Sequence, residues 1–357
     1  MKVGIIGLPQ AGKKTLFKIL AAGHGMERAA DARRALAGSA EIKDPRFDVL
    51  VKMYNPRKQV RPKVDLLLLP AIEKEAIVEG NIFKDIADVD AVCHVVRAFE
   101  DDSIYHVSGS IDPRRDIDSV NAELILNDMI FVEKRLERIE KDIKKVQDKR
   151  LHQEKALLEK LKPQLEQELP LRLLELSEEE NKIIASYPFI TLKEMIVVLN
   201  ISDAGVQDEQ LLRELQSAYA PLRIDLIQVA IQVEAEIAGL ETEAEKQEFL
   251  QALGIKEPAL DMLTRRCITA LGLMSFFTVG EDEVRQWLLR AGSTAPEAAG
   301  TIHSDLQRGF IRAEVMKYNE LMEHKTEAQL KHAGKYYTKG KDYIVEDGDI
   351  LNIRFNV

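Results

Sequence analysis

The stretch Met1–Leu20, MKVGIIGLPQAGKKTLFKIL, decides the fold. Lys2–Gly7 carries Val3, Ile5 and Ile6 and reads as a short buried strand, and Lys13–Ala22 reads as the start of a helix. Between them Gly7, Gly12 and Lys13 satisfy G-x-x-x-x-G-K. In this turn glycines let backbone N–H groups curl round phosphate oxygens while the lysine reaches the β- and γ-phosphates. Leu8, Pro9, Gln10 and Ala11 fill the loop, and Thr15 follows it. The hydroxyl that the pattern asks for after the lysine, a magnesium ligand, is replaced by Lys14. The chain keeps a phosphate cradle and loses a metal ligand, so binding a nucleotide and hydrolysing it become separate questions.

Four later apolar runs, Val64–Leu69, Ala91–Val96, Met195–Asn200 and Leu222–Val229, read as buried parallel strands. Helical patterns lie between them, which predicts a doubly wound α/β domain. The gap before the third of these runs has a different character. Ile125, Met129, Val132, Leu136, Ile139, Ile143 and Val146 repeat at alternating spacings of four and three, a heptad seam. A second helix over Leu151–Glu168 presents Leu151, Leu158, Leu161 and Leu165, with Pro163 expected to kink it. An antiparallel helical hairpin inserted into the α/β domain is the economical reading. Between Lys134 and Lys162 there are eleven Lys/Arg against six Asp/Glu, on a chain of net charge −10. That local excess suits either a solvated helix face or a basic arm for RNA or the ribosome.

After about Thr264 a small α+β module follows. Phe276, Phe277 and Val279 suggest a strand, Ala295–Leu306 a helix, and Lys341–Val357 two short strands about a turn at Asp347-Gly348. The 357 residues suit two or three domains. Two cysteines, Cys93 and Cys267, exclude a disulfide framework and suit a reducing compartment. No signal peptide is evident, and the apolar run at Leu66–Leu69 is far short of the roughly 20 residues of a membrane span. A cytoplasmic, membrane-free and monomeric protein is expected. The seven histidines show no metal-ligand spacing. His94, in a core strand, reads as a satisfied buried histidine. Asp101-Asp102 and Glu178–Glu180 read as loop and helix-start charges.

These residues carry a family resemblance that runs almost end to end. GLPQAGKKTLF at Gly7–Phe17, AVCHVVRAFEDDSIYHVSGSIDPRRDI at Ala91–Ile117, FFTVGEDEVRQW at Phe276–Trp287, GSTAPEAAGTIHSDLQRGFIRAEV at Gly292–Val315 and AGKYYTKGKDYIVEDGDILNIRFNV at Ala333–Val357 resemble the YchF/Obg-like ATPase family of P-loop NTPases. The resemblance implies a G domain over residues 1–120 and 185–265, an inserted antiparallel helical coiled coil over 121–184, and a β-grasp-like TGS domain over 270–357. It implies binding of ATP or GTP, slow hydrolysis, and contact with the ribosome or RNA through the coiled coil and the TGS domain.

Carried over residue by residue, the resemblance is incomplete. Lys14 stands where the family has serine. The D-x-x-G motif aligns with Asp65–Leu68, which keeps Asp65 as the one candidate magnesium ligand. Leu68 then replaces the glycine whose N–H meets the γ-phosphate. The glycine-rich switch is shortened to PAIEKEAIVEG at Pro70–Gly80, and no threonine lies between Leu16 and Val60. Base recognition falls to Asn200, Ile201 and Asp203 in the run Asn200-Ile201-Ser202-Asp203, where Asp203 leans toward guanine; the same run also suits a turn and helix cap. Val229–Ile231 aligns with the segment behind the base. The expectation is a GTP- or ATP-binding regulatory switch with impaired hydrolysis. The alternative is a pseudo-GTPase scaffold that no longer uses nucleotide.

Overall fold

Val3, Ile5 and Ile6 are buried in β1 (Lys2–Ile6), a central strand of the first sheet, and the chain turns there into α1 (Lys13–Leu20). The computed structural model describes residues 1–21, 35–72, 81–146, 148–206, 208–255 and 257–356. In chain order there follow β2 (Leu36–Glu41), α2 (Pro45–Tyr54), β3 (Lys58–Val60), β4 (Lys63–Leu68), α3 (Asn81–Ala87) and β5 (Ala91–Arg97). Next come the long helices α4 (Pro113–Ile143) and α5 (Lys149–Glu166), then α6 (Glu178–Ile184), β6 (Glu194–Asn200), α7 (Gln210–Tyr219), β7 (Ile224–Val229), α8 (Ile231–Gly239), α9 (Glu243–Ala252) and α10 (Ala259–Ala270). The last stretch holds β8 (Leu273–Thr278), β9 (Glu283–Arg290), α11 (Ala295–Ile302), α12 (Ser304–Arg308), β10 (Phe310–Lys317), α13 (Tyr318–His324), α14 (Glu327–His332), β11 (Tyr337–Lys339) and β12 (Asp349–Phe355).

The chain divides into two compact units, Met1–Ala40 with Asp65–Leu260, and Glu41–Val64 with Asp261–Val357. The first contains a sheet of order β2-β4-β1-β5-β6-β7, in which β4, β1, β5, β6 and β7 pair in parallel. Its strands are near-continuous apolar runs; all seven residues of β5 are buried, as strands covered on both faces require. The strand order reverses at β1, so a crevice opens beyond the carboxyl ends of β1 and β5, the usual place for a ligand in a doubly wound sheet.

The helical hairpin belongs to this unit. Val132, Ile139, Leu158 and Leu161 are fully buried in its seam, each contributing about 1.5–3 kcal/mol by burial. Two expectations are corrected here. Helix α4 starts at Pro113, capped by Asp112, so the hairpin's first helix begins before residue 121; and Val146, the last heptad position, lies beyond the helix and is exposed. The hairpin is anchored at its base by Asp128. This fully buried carboxylate accepts hydrogen bonds from the backbone of Ile190 (3.0 Å) and Thr191 (2.8 Å) and from the Thr191 hydroxyl (2.7 Å). Burial pushes the Asp128 carboxyl above its ordinary range, against the pull of these donors.

The second unit holds a mixed sheet of order β11-β10-β12-β8-β9-β3, with β8 and β12 parallel at its centre and antiparallel pairs on either side. One face carries Phe276, Ala313, Val315 and Leu351 with Ala295, Ala298 and Ala299 of α11. The other face carries Phe277, Val284, Met316 and Ile350, and what covers it includes Phe47 and Leu50 of α2. Residues 41–64, assigned from sequence to the nucleotide domain, are therefore part of the second unit's core. The tail forms one strand, β12, rather than two; the turn at Gly348 (φ +87°) is present, but Ile344 makes only an isolated bridge to Thr294.

Candidate functional site at the loop after the first strand

Between β1 and α1 the backbone takes positive φ at Gly7 (+147°), Gln10 (+58°) and Gly12 (+100°). Alternation of this kind curls a chain so that successive N–H groups converge. Glycine is required at two of these places. A Cβ on Gly7 would lie 2.3 Å from the Val95 carbonyl oxygen, and one on Gly12 would lie 2.4 Å from Asn200 Nδ2. Gly12 is also the N-cap of α1 and supplies no side-chain cap, so the orphan donors of the first helical turn have no protein oxygen from that residue. The buried Lys13 folds back over the loop, and its Nζ donates to the carbonyls of Gly7 (2.7 Å) and Leu8 (2.6 Å). Lys14 and Thr15 are exposed on the first turn.

Asn200, at the end of β6, ties this loop to the far side of the crevice. Its Nδ2 donates to the Ala11 carbonyl (3.1 Å), and its Oδ1 accepts from the N–H of Ile231 (3.3 Å), the first residue of α8. Ile201 N–H bonds the Val229 carbonyl (3.1 Å), and Asp203 opens a short 3₁₀ turn, Asp203–Gly205. The fold thus brings Gly7–Thr15, Asn200–Asp203 and Val229–Ile231 to one edge of the sheet.

Asp65 is not brought there. In the parallel ladder Asp65 pairs with Lys2, at the start of β1, whereas the loop leaves from the other end; the Asp65 carboxylate lies 3.8 Å from the Met1 amino group. Its expected role as a magnesium ligand is corrected by this register. The residues that do run beside the loop are Leu69–Ile72, with Leu69 N–H on the Ile5 carbonyl and Ile72 N–H on that of Gly7. A D-x-x-G motif placed after β4 would fall on Leu68–Ala71, which has neither the aspartate nor the glycine. Residues 73–80 of the shortened switch and residues 22–34 of the threonine-free stretch lie outside the described residues. The donor set for magnesium does not fit. Lys14 offers no lone pair, Asp65 is at the wrong end, and among the described residues no cluster of His, Cys, Asp or Glu could hold a metal.

Beneath the loop the structure assembles groups that sequence spacing did not reveal. Leu8, Pro9 and Ala11 lie over His94, Arg97, His106 and Asp116, with no room between them for a water molecule. His106 and Asp116 are both buried, with Nε2 2.9 Å from the Asp116 carboxylate; Ser108 N–H donates to Nδ1 (3.2 Å), which makes the ring the neutral tautomer with its proton on Nε2. Arg115 also holds Asp116 (2.9 Å). Arg97 staples the loop above through the carbonyls of Phe99, Asp101 and Ile104. Only the Asp112-Pro113 helix start hinted that Asp116 would sit in a first turn. His94 departs from expectation: it is fully buried, but neither ring nitrogen has a partner. Burial, with a smaller contribution from the Lys13 charge, pushes it down to about 3, so it is neutral. Asp101 and Glu180 play the local roles expected, binding Ser103 and completing a capping box with Ser177.

A glycine-closed loop between the first strand and first helix, with an anchored lysine and an asparagine brace from β6, defines a P-loop NTPase domain. The family model YchF-GTPase_C, described as "Protein of unknown function (DUF933)", matches residues 273–356. The chain is 42% identical to the ribosome-binding ATPase YchF of Bacillus subtilis over 367 residues, covering 100% of both chains. It is 40% identical to the ribosome-binding ATPase YchF of Haemophilus influenzae, covering 100% of this chain and 99% of that one. The solved YchF GTPase of Schizosaccharomyces pombe superposes with a TM-score of 0.81 at 32% identity, over 99% of this chain and 97% of that one. The chain belongs to the YchF family.

Proposed function

We propose that this chain binds a purine nucleoside triphosphate, ATP or GTP, in the loop Gly7–Thr15, hydrolyses it poorly, and acts as a nucleotide-responsive partner of the ribosome. The observation that carries the binding is the loop itself: two positions where only glycine fits, an uncapped helix start, and Lys13 held across the opening. Asn200, Ile201 and Asp203 are the candidate base contacts, supported by their place at the same sheet edge. Poor hydrolysis is supported by the missing hydroxyl, carboxylate and glycine around the γ-phosphate position, since phosphoryl transfer depends on charge neutralisation there. The names of the relatives divide between ATPase and GTPase, and the loop geometry favours neither base.

The ribosomal reading is supported by the relatives' names and by the charge on the hairpin. Four of its cations are neutralised: Arg135 by Glu154, Lys155 by Glu140, Lys160 by Glu180 and Lys162 by Glu133. Toward the tip Arg138, Lys141, Lys144, Lys145, Lys149 and Arg150 are exposed and make no ion pair among the described residues. A cluster of unneutralised cations is what a phosphate backbone recognises. Co-sedimentation of the full chain with ribosomes, with and without ATP, tests this reading. Salt-sensitive binding that weakens when the six tip cations are changed to Gln is expected; binding indifferent to both overturns it.

A further inference from the structure

Among the described residues, the loop brings together no ligand set for the ion that accompanies nucleotides in this fold class, and a cation stands at one of the ligand positions. Lys14 occupies the helix position whose hydroxyl would bind magnesium, and an ammonium has three donors and no acceptor. The segment running beside the loop, Leu69–Ile72, carries no carboxylate, and Asp65 is at the opposite end of the sheet. Residues 17–21 and 35–60 contain no threonine. Thr15 sits about 100° further round the helix and faces a different direction from position 14.

Lys14 is exposed and has no hydrogen bond or ion pair among the described residues, and α1 has no acidic residue in its first turn. Two consecutive lysines therefore stand at the positive end of a helix dipole, an arrangement that is unfavourable until an anion arrives. His94, fully buried with both ring nitrogens unpartnered, lies under the same loop among Leu8, Pro9 and Ala11.

We infer that Lys14 supplies the charge that magnesium supplies elsewhere, so that the loop binds the polyphosphate of a metal-free nucleotide. The inference rests on the nucleotide reading above and goes beyond it in naming the ligand's form, a nucleoside triphosphate without a divalent cation.

The test is calorimetric titration of the full chain with ATP and with GTP, in magnesium and in EDTA, on the natural chain, Lys14→Ser and Lys14→Arg. The natural chain is expected to bind equally well in both buffers. Lys14→Ser is expected to lose about tenfold or more in EDTA, from removal of a charge-assisted contact, while Lys14→Arg keeps its affinity. Circular dichroism of the exposed-site variants checks that they are folded. Natural-chain affinity that collapses in EDTA, or Lys14→Ser binding undiminished there, overturns the inference and leaves nucleotide binding standing. Titrations without heat in either buffer for either nucleotide overturn the nucleotide reading and this inference with it.

Discussion

The Asp65 carboxylate faces the amino group of Met1 at 3.8 Å, at the end of the sheet remote from Gly7. Asp65→Asn should therefore leave nucleotide affinity unchanged in the presence of magnesium. The lost ion pair is exposed, and exposed pairs contribute little. Titration of this variant beside the natural chain checks the point; a weakened affinity that tracks magnesium would return Asp65 to the site.

Gly7 and Gly12 fail differently. A Cβ on Gly7 meets backbone, the Val95 carbonyl, which cannot step aside; a Cβ on Gly12 meets the Asn200 side chain. Gly12→Ala should cost about 1–3 kcal/mol in urea denaturation, from overpacking and left-handed strain, and abolish binding. Gly7→Ala should cost more. Equal, small losses would mean that the loop is looser than described.

The Asn200 brace separates donor from acceptor. Asn200→Asp keeps an acceptor for Ile231 N–H but sets a carboxylate against the Ala11 carbonyl, whereas Asn200→Ala orphans both. A loss of about 1–3 kcal/mol for each buried group left unpaired is expected, with nucleotide affinity falling in both variants. Thermal and chemical denaturation with parallel titration measures it.

His94 gives the fold an acid sensitivity. Folded, it is depressed to about 3; unfolded, it protonates near its ordinary 6.5, so between these values the unfolded chain binds the extra proton and stability falls as pH falls. Asp128, raised by burial, has the opposite sign, holding its proton in the folded state to higher pH. His94→Leu removes two unpartnered nitrogens. It should be neutral or stabilising at pH 7 and should flatten the decline of stability between pH 6.5 and 3. An unchanged acid limb would contradict this assignment.

The second unit should not survive excision at residue 265. Without Phe47 and Leu50, the sheet face of Phe277, Val284, Met316 and Ile350 loses part of its cover. Trp287, the one tryptophan, stacks on Phe276 and reports on this unit by fluorescence. A fragment of residues 265–357 should show a solvent-exposed spectrum and bind hydrophobic dye; a native spectrum would show that 41–64 is dispensable.

Much of the architecture was legible because its signals are local. The glycine loop, the heptad residues Val132 and Ile139, and the apolar run of β5 each state their structure within a few turns or strands. Register was not legible. In Val64–Leu69 four leucines follow Asp65, and a uniform run does not say which residue meets Gly7; the parallel ladder with β1 decides it, three residues away from the motif reading. The place of α2 was hidden because its partners lie more than 200 residues onward. The His106–Asp116 pair was hidden because a loop and a helix start converge only in three dimensions.

The central proposal is that the cradle is intact while the described residues beside it lack the groups for hydrolysis. Mixing excess full chain with trace γ-labelled ATP or GTP in magnesium, then passing it through a desalting column after one hour, tests both halves at once. The account predicts label eluting with the protein as intact triphosphate, and its loss in Gly12→Ala. Label that does not co-elute, or that appears as free phosphate within minutes, would contradict it.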